Sequence, residues 1–418
     1  MAGSGGGAAG AVEGLREPRL FWLLVLTNGF VGSMVGVERT LVPVLGEQVF
    51  AISSKLAIIS FIATFGIAKA LANLFAGSWS ERVGRKRVLV FGWLVGIPVP
   101  LILMFAPPPH WWLVILANVL LGVNQGLCWS MTVIMKVDLA GDRRRGFAIG
   151  MNEFAGYSAV AVAAFATGYL AGIYGIRPWP FLIGIGAVAG GLILSAVWAR
   201  ETRLEIGPRS EGMSLRESFL RLSWRDTNLR AVNQAGLMKN LNDGVCWGLL
   251  PLMFVPVLRD TGAVGLLIAA YPLSWGLGQL FTGPLSDSAG RKRLIVLGMI
   301  AQGAALVLIP ALASFASWLA LMLLLGAGTA MVYPTLLGAA SDSASPTERA
   351  TAMGVYRFWR DIGFAAGALA GGALADSLGL GAALQIVGVA TIMSGLYVLV
   401  RYAERMHWIG NRISSGTS

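Results

Sequence analysis

Nine ionisable side chains interrupt stretches that are otherwise apolar: Glu38, Arg39, Lys69, Glu153, Lys239, Asp243, Arg357, Arg360 and Asp361. Each stretch is about 20 residues or longer, enough to cross a ~30 Å hydrocarbon layer. A charge at the centre of such a layer costs ~2.5–3.5 kcal/mol, so these groups are expected to face a cavity or a partner. The chemistry open to them is ion pairing, proton exchange and solute binding. Lys239 and Asp243 stand four residues apart, as do Arg357 and Asp361, which lets each pair neutralise itself on one helix face. Glu153 has no such partner nearby. A carboxyl group taken out of water holds its proton more tightly, and a nearby cation opposes this. An acid facing first one side of a membrane and then the other can therefore carry a proton across. The proton-coupling candidates are Glu153, Glu38 and Asp243, in that order.

Other residues could complete a solute-binding surface. Arg39 follows Glu38 directly, while Lys69 and Asn73 share a helix face, as do Glu153 and Tyr157. Asn124, Gln125, Trp129, Asn240, Trp247, Gln279, Tyr333, Tyr356 and Trp359 are further candidates. Aromatic rings in membrane helices are more often packing or interface anchors than ligand contacts. Lys69, Arg357 and Arg360 would suit an anion through charge-assisted hydrogen bonds. So many charges and amides point to a polar or ionic solute.

The elements that must hold these groups are helices. Of the 418 residues, 56% are hydrophobic and 13% charged, with a mean hydropathy of +0.70. A water-soluble chain carries roughly a quarter charged residues, so a soluble fold is excluded. Twelve spans are expected: 20–45, 53–77, 88–106, 112–138, 147–171 and 179–199, then 230–257, 263–283, 294–313, 317–340, 350–375 and 381–402. Residues 1–19 form a Gly/Ala-rich tail expected to be disordered, 200–229 a polar linker, and 403–418 a second tail. Within the linker, Ser214 is placed to cap a short surface helix. The bundles then occupy 20–199 and 230–402.

The net charge of +11 does not indicate nucleic acid, because Arg and Lys concentrate in alternate loops. That is the positive-inside bias, and it places both termini and the linker in the cytoplasm. Cys128 and Cys246 lie within spans and His110 and His407 are the only histidines, so neither a disulfide framework nor a metal site is expected. There is no phosphate-cradling Gly-x-x-x-x-Gly-Lys-Ser/Thr loop and no catalytic constellation. No cofactor other than an ion gradient, expected to be protons, is implied, and the chain is read as a non-enzyme.

One motif occurs twice. Gly77-Ser78-Trp79-Ser80-Glu81-Arg82-Val83-Gly84-Arg85-Lys86-Arg87 returns as Gly283-Pro284-Leu285-Ser286-Asp287-Ser288-Ala289-Gly290-Arg291-Lys292-Arg293, 206 residues on (77 + 206 = 283). Further along the offset becomes 204, aligning Asp138 with Asp342 and Glu153 with Arg357 (153 + 204 = 357). Glu153 and Arg357 are therefore expected to meet across the cavity. Glu38 falls close to Asp243 (38 + 205 = 243), one acid in the first helix of each half. Ala155, Ala159, Ala163 and Thr167 recur every four residues, and Gly363, Gly367 and Gly371 match the last three. Such ridges let membrane helices pack closely.

The paired motif resembles the signature of the major facilitator superfamily, Gly-x-x-x-Asp-Arg-x-Gly-Arg-Arg/Lys-Arg, and the likeness covers essentially the whole chain. It implies an all-α integral membrane protein of twelve helices in two pseudo-symmetric six-helix bundles, with alternating access to a central cavity walled by the first and seventh helices. Glu81 stands where the family usually has Asp, and Ser288 where Arg82 stands in the first copy. Gly122 occupies the place of the arginine often found in the fourth helix of proton-driven drug exporters, and the fifth helix lacks their Gly-Pro pattern. These departures do not point to the drug-export branch. In the motif, Glu81 and Asp287 are expected to dock on the N-terminus of a neighbouring helix. Arg85 is expected to pair with Asp138, and Arg291 with Asp342, in contacts that form in the outward-open state and break in the inward-open one. The function expected is secondary active transport of a small polar or ionic solute, proton-coupled and more often outward than inward. The alternatives are a symporter or facilitator for a small anion and a membrane sensor or scaffold. A monomer in a bacterial inner membrane would suffice, with the bilayer and the solute as its partners.

Overall fold

A computed structural model describes residues 15, 17–140, 144–202, 215–345 and 348–404. The expected Ser214 cap and most of both tails lie outside these residues, as does the side chain of Asp287.

The described chain forms twelve long helical spans and no strand. In the first half they are α1 (Pro18–Gln48), α2 (Lys55–Val83), α3 (Arg85–Phe105), α4 (Trp111–Ala140), α5 (Arg145–Tyr174) and α6 (Trp179–Trp198). The second half has α7 (Thr227–Leu258), α8 (Thr261–Ala289), α9 (Arg291–Ala311), α10 (Phe315–Ser343), α11 (Arg349–Leu378) and α12 (Leu380–Arg401). Eleven of these are apolar enough to cross a bilayer by composition alone. The exception, α11, carries Arg357, Arg360 and Asp361 near its middle.

Local chemistry sets the ends. Ser54, Asp226, Asp260 and Ser314 cap α2, α7, α8 and α10, each side-chain oxygen accepting from a backbone N–H of the first turn. The repeated motif is not a loop. Residues 77–83 are the last turns of α2, and the chain reverses at Gly84 alone, with φ +99°. The second copy does the same at Gly290, with φ +92°. Only glycine adopts this conformation without strain, so the glycine is what turns two helices around a single residue. Most helices accordingly run a turn or so beyond the expected bounds.

The small-residue ridges pack inside each half. Ala159 and Ala163 of α5 meet Gly29 and Gly36 of α1, while Gly363, Gly367 and Gly371 of α11 meet Asn240, Leu241 and Val245 of α7. The two halves meet along two other seams, α2 against α11 and α5 against α8. A methyl group on Gly168 of α5 would come within 2.7 Å of the Gly265 Cα in α8, and one on Gly66 of α2 within 2.7 Å of the Phe364 Cβ in α11. Backbones this close leave no gap. At the end away from the motif, Asp376 of α11 closes the first seam by accepting from Ser54 Oγ (2.6 Å), Lys55 N (2.5 Å) and Leu56 N (3.1 Å) of α2. The linker helix Leu215–Leu220 docks on the second half, where Trp359 stacks on Phe219 and donates to Ser223 Oγ (2.9 Å).

Candidate functional site

At the motif end the halves part around a cavity of about 800 Å³. Its wall runs from Lys69, Trp129, Glu153 and Arg360 in the depth to Gly146, Ser286 and Ser341 near the helix ends, so it opens on the motif side. Asn73, Gln279, Tyr333 and Arg357 also line it. The repeat explains part of this set: Asn73 and Gln279 are equivalent (73 + 206 = 279), as are Trp129 and Tyr333 (129 + 204 = 333).

The charged groups are tied down unequally. Glu153 Oε1 accepts from Trp129 Nε1 (2.8 Å) and Asn152 Nδ2 (3.1 Å), while Oε2 is buried with no hydrogen-bond partner among the described residues. Glu153 and Arg357 line the same cavity without forming an ion pair, against expectation, because the carboxylate turns to α4 instead of crossing to α11. Asp361 pairs with Arg360 and not with Arg357: Arg360 Nε and Nη2 donate to Asp361 Oδ1 at 2.9 and 2.7 Å. The planar guanidinium reaches the adjacent carboxylate through two donors, which the i, i+4 reading overlooked. Asn73 Nδ2 of α2 donates to Asp361 Oδ2 at 2.6 Å, and Arg360 Nη1 donates to the Tyr333 hydroxyl at 2.9 Å.

Lys239 and Asp243 form the expected pair, 2.5 Å apart and almost fully buried. Asp243 also accepts from the Tyr271 hydroxyl, and Lys239 Nζ lies 3.7 Å from the Trp275 ring centre. Glu38 is fully buried on α1 beside Asn118, away from the cavity, and neither carboxylate oxygen has a hydrogen-bond partner. The Arg39 guanidinium has no hydrogen-bond partner among the described residues and lies over two rings, 4.2 Å from Trp247 and 4.8 Å from Phe65. Stacked Tyr157 and Trp275, 3.5 Å between ring centres, join α5 to α8.

Several candidates are packing ties. Asn124 donates to Gly92 O (2.9 Å), Gln125 donates to Val31 O (2.9 Å), and Tyr356 packs against Gly236. Asn240 accepts from Lys239 at 3.3 Å, Trp247 stacks on Phe364, and Trp359 holds the linker. Sequence reasoning passed over Tyr271, Trp275 and Lys136. The first two are the repeat equivalents of Phe65 and Lys69 (65 + 206 = 271; 69 + 206 = 275), a signal available but unused. Lys136 is fully buried in α4 with its ammonium 3.3 Å from Leu24 O, and its place near a predicted helix end disguised it.

The motif also departs from its expected reading. Arg85 pairs with Asp138 and Arg291 with Asp342, as the spacing implied. Both pairs lie within one half, however, and both are present while the cavity is open at this end. Contacts inside a rigid bundle need not break when two bundles rock. The carboxylates found on the helix N-termini are Glu201, which accepts from Arg85 N (3.0 Å) and Lys86 N (3.2 Å), and Glu404, which accepts from Arg291 N. Each of these two carboxylates lies just beyond the last helix of its half, and the docking expected of Asp287 lies outside the described residues. Gly77 and Gly283 have open space beside them.

The family model described as Major Facilitator Superfamily matches residues 21–258 and 235–414. A protein named Multidrug resistance protein MdtG from Salmonella paratyphi C is 26% identical over 340 residues, 78% of this chain and 81% of that protein. Its counterpart from Salmonella choleraesuis is 25% identical over the same shares. Both are named for multidrug resistance. Among solved structures, a POT family transporter in complex with thioalcohol conjugated peptide has a TM-score of 0.75 at 13% identity, covering 91% of this chain and 96% of that one. A POT family transporter in complex with 5-aminolevulinic acid has a TM-score of 0.73 at 14% identity. At these identities the structures bear on the fold alone.

Proposed function

This chain belongs to the Major Facilitator Superfamily, and we propose that within it the protein is a proton-coupled secondary transporter that expels a small polar or ionic solute from the cytoplasm. The observation that carries this reading is Glu153. It is an acid in the cavity wall between two bundles, one of whose oxygens is buried without a hydrogen-bond partner. Protonation would remove the charge from the buried oxygen, and ionisation is supported by Trp129 and Asn152 on the other one. An acid with one oxygen held and the other unpartnered among the described residues is suited to load and release a proton as access alternates.

Alternation itself is supported by geometry. The cavity opens on the motif side, which the positive-inside bias assigns to the cytoplasm. The far end is shut by the two glycine-lined seams and Asp376. Opening that end would separate α2 from α11 and α5 from α8, leaving the packing within each half intact. The outward direction is supported by the names of the curated relatives.

A second reading, symport of a small anion, is favoured by Lys69 and Arg357, cavity cations with no ion pair among the described residues. The test is proton movement in proteoliposomes holding the purified protein and an internal pH dye. Solutes of each charge class would be added in turn. The proposal expects a solute-dependent pH change that vanishes in Glu153→Gln. Solute flux with no pH change in the parent protein would overturn the coupling, and an unchanged coupled flux in the variant would remove Glu153 from it.

A further inference from the structure

The charges facing the cavity do not balance. Arg360 is satisfied by Asp361 and Tyr333, and Arg291 by Asp342 and Ser286. Glu153 turns one oxygen to Trp129 and Asn152 and keeps the other out of solvent. Two cations are left. Lys69 and Arg357 both line the cavity, both are half-buried, and neither has a hydrogen bond or ion pair among the described residues. Lys69 Nζ sits among the rings of Phe364, Phe65 and Trp129 at 5.3, 5.6 and 5.7 Å. Rings attract the charge but accept none of its three N–H hydrogen bonds, and the guanidinium of Arg357 has five more donors. The rest of the wall is largely apolar, with Trp129, Phe147, Met151, Tyr333, Pro334 and Leu337 among its members.

We infer that the solute is an amphipathic organic anion, whose carboxylate, phosphonate or sulfonate oxygens accept from Lys69 and Arg357 while a flat or branched apolar body lies against Trp129 and Tyr333. This rests on the transport reading, since it takes the cavity for a solute pathway, but not on its direction. A small inorganic anion would satisfy the two cations and leave the apolar wall in water. An organic cation would meet Lys69 and Arg357, while of the carboxylates beside them Asp361 is taken by Arg360 and Asn73, and Glu153 turns one oxygen to Trp129 and Asn152. An oxygen-bearing anion with an apolar body answers both surfaces at once.

The inference is tested by equilibrium binding to the full chain in lipid nanodiscs, with empty discs as the blank. The probes are 2-naphthoate, 2-naphthamide, (2-naphthyl)methylammonium and inorganic phosphate. Naphthoate is expected to bind about tenfold or more tightly than the amide, as hydrogen bonds to charged groups allow. The cation and phosphate should be weaker still. Lys69→Met and Arg357→Met should each shrink the preference for naphthoate over the amide, and Lys69→Arg should keep it. A thermal melt of each variant shows that it is folded. Equal binding of naphthoate and naphthamide, tighter binding of the cation, or no binding of any probe overturns the inference. Phosphate matching naphthoate overturns its apolar half. Binding needs no proton gradient, so loss of anion preference alongside solute-driven pH change would sink the inference and spare the transport reading. Anion binding without flux would do the reverse.

Discussion

Asn73 of α2 donates to Asp361 of α11 at 2.6 Å, a direct side-chain hydrogen bond across the boundary between the two halves. Asp361 is also the only carboxylate on Arg360 among the described residues. The two residues therefore differ in weight. Asp361→Asn should cost about 3–5 kcal/mol, because it leaves a buried guanidinium without its counter-charge. Asn73→Ala should cost about 2 kcal/mol, the net value of two hydrogen bonds, since Asn73 Oδ1 also accepts from Ser130 Oγ at 2.8 Å. Denaturation midpoints in one detergent would rank them; an equal or reversed order would mean that Arg360 draws its support elsewhere.

The sign of the pH dependence separates the two modes of coupling. Protonating Glu153 removes a negative charge from a wall that also carries Lys69, Arg357 and Arg360. The charged and titratable groups around it further include Lys136 of α4, Tyr157 of its own helix and Tyr333 of α10, while Asn28 of α1 and Gln279 of α8 are neutral. An anionic solute should thus bind more tightly as pH falls, the linkage of symport, and a cationic one less tightly, the linkage of antiport. The sign of the slope of affinity against pH decides it. Glu153→Gln should flatten either slope at the value reached when Glu153 is protonated, and a slope that survives would assign the proton to another group.

The pairs Arg85–Asp138 and Arg291–Asp342 act inside single halves. Arg85→Ala should therefore lower stability by about 3 kcal/mol, the order expected for breaking a largely buried pair, and should abolish flux by loosening α3 and α4. If the pair matters as a pair, Arg85→Asp with Asp138→Arg should recover part of both. Recovery of stability without any recovery of flux would show that Arg85 has a role its partner does not share.

The closed end makes the plainest mechanical prediction. Asp376→Ala removes three hydrogen bonds that tie α11 to the first turn of α2. A cysteine placed at Leu56 should then react faster with a membrane-impermeant maleimide. Gly265→Leu should act in the same sense through the packing of the other seam, since a side chain there would meet the Gly168 Cα within 2.9 Å. That variant should fold, hold the far end apart and lose flux. Unchanged labelling in Asp376→Ala would mean that the seam is held by the glycine contacts alone.

Helix count, repeat and family membership were legible in the sequence because each rests on one-dimensional patterns: hydropathy over about 20 residues, and a motif returning at half-length. The pairing of Lys239 with Asp243 was legible for the same reason, since i, i+4 spacing on a helix is local geometry. The pairing of Arg85 with Asp138 was reached through the repeat and the motif.

What the chain folded in three dimensions decided was which charges are satisfied. Glu153 turned to Trp129 and not to Arg357, and Arg360 took the carboxylate that spacing assigned to Arg357. Glu201 and Glu404 came to rest on the N-termini of α3 and α9, from positions more than a hundred residues away in the chain. Each outcome depends on how far a flexible side chain can reach across a gap between helices, which no spacing along one helix specifies. By itself the sequence determined that charges would be buried in a duplicated membrane bundle; the packing between helices determined that Lys69 and Arg357 line the cavity with no hydrogen bond or ion pair among the described residues.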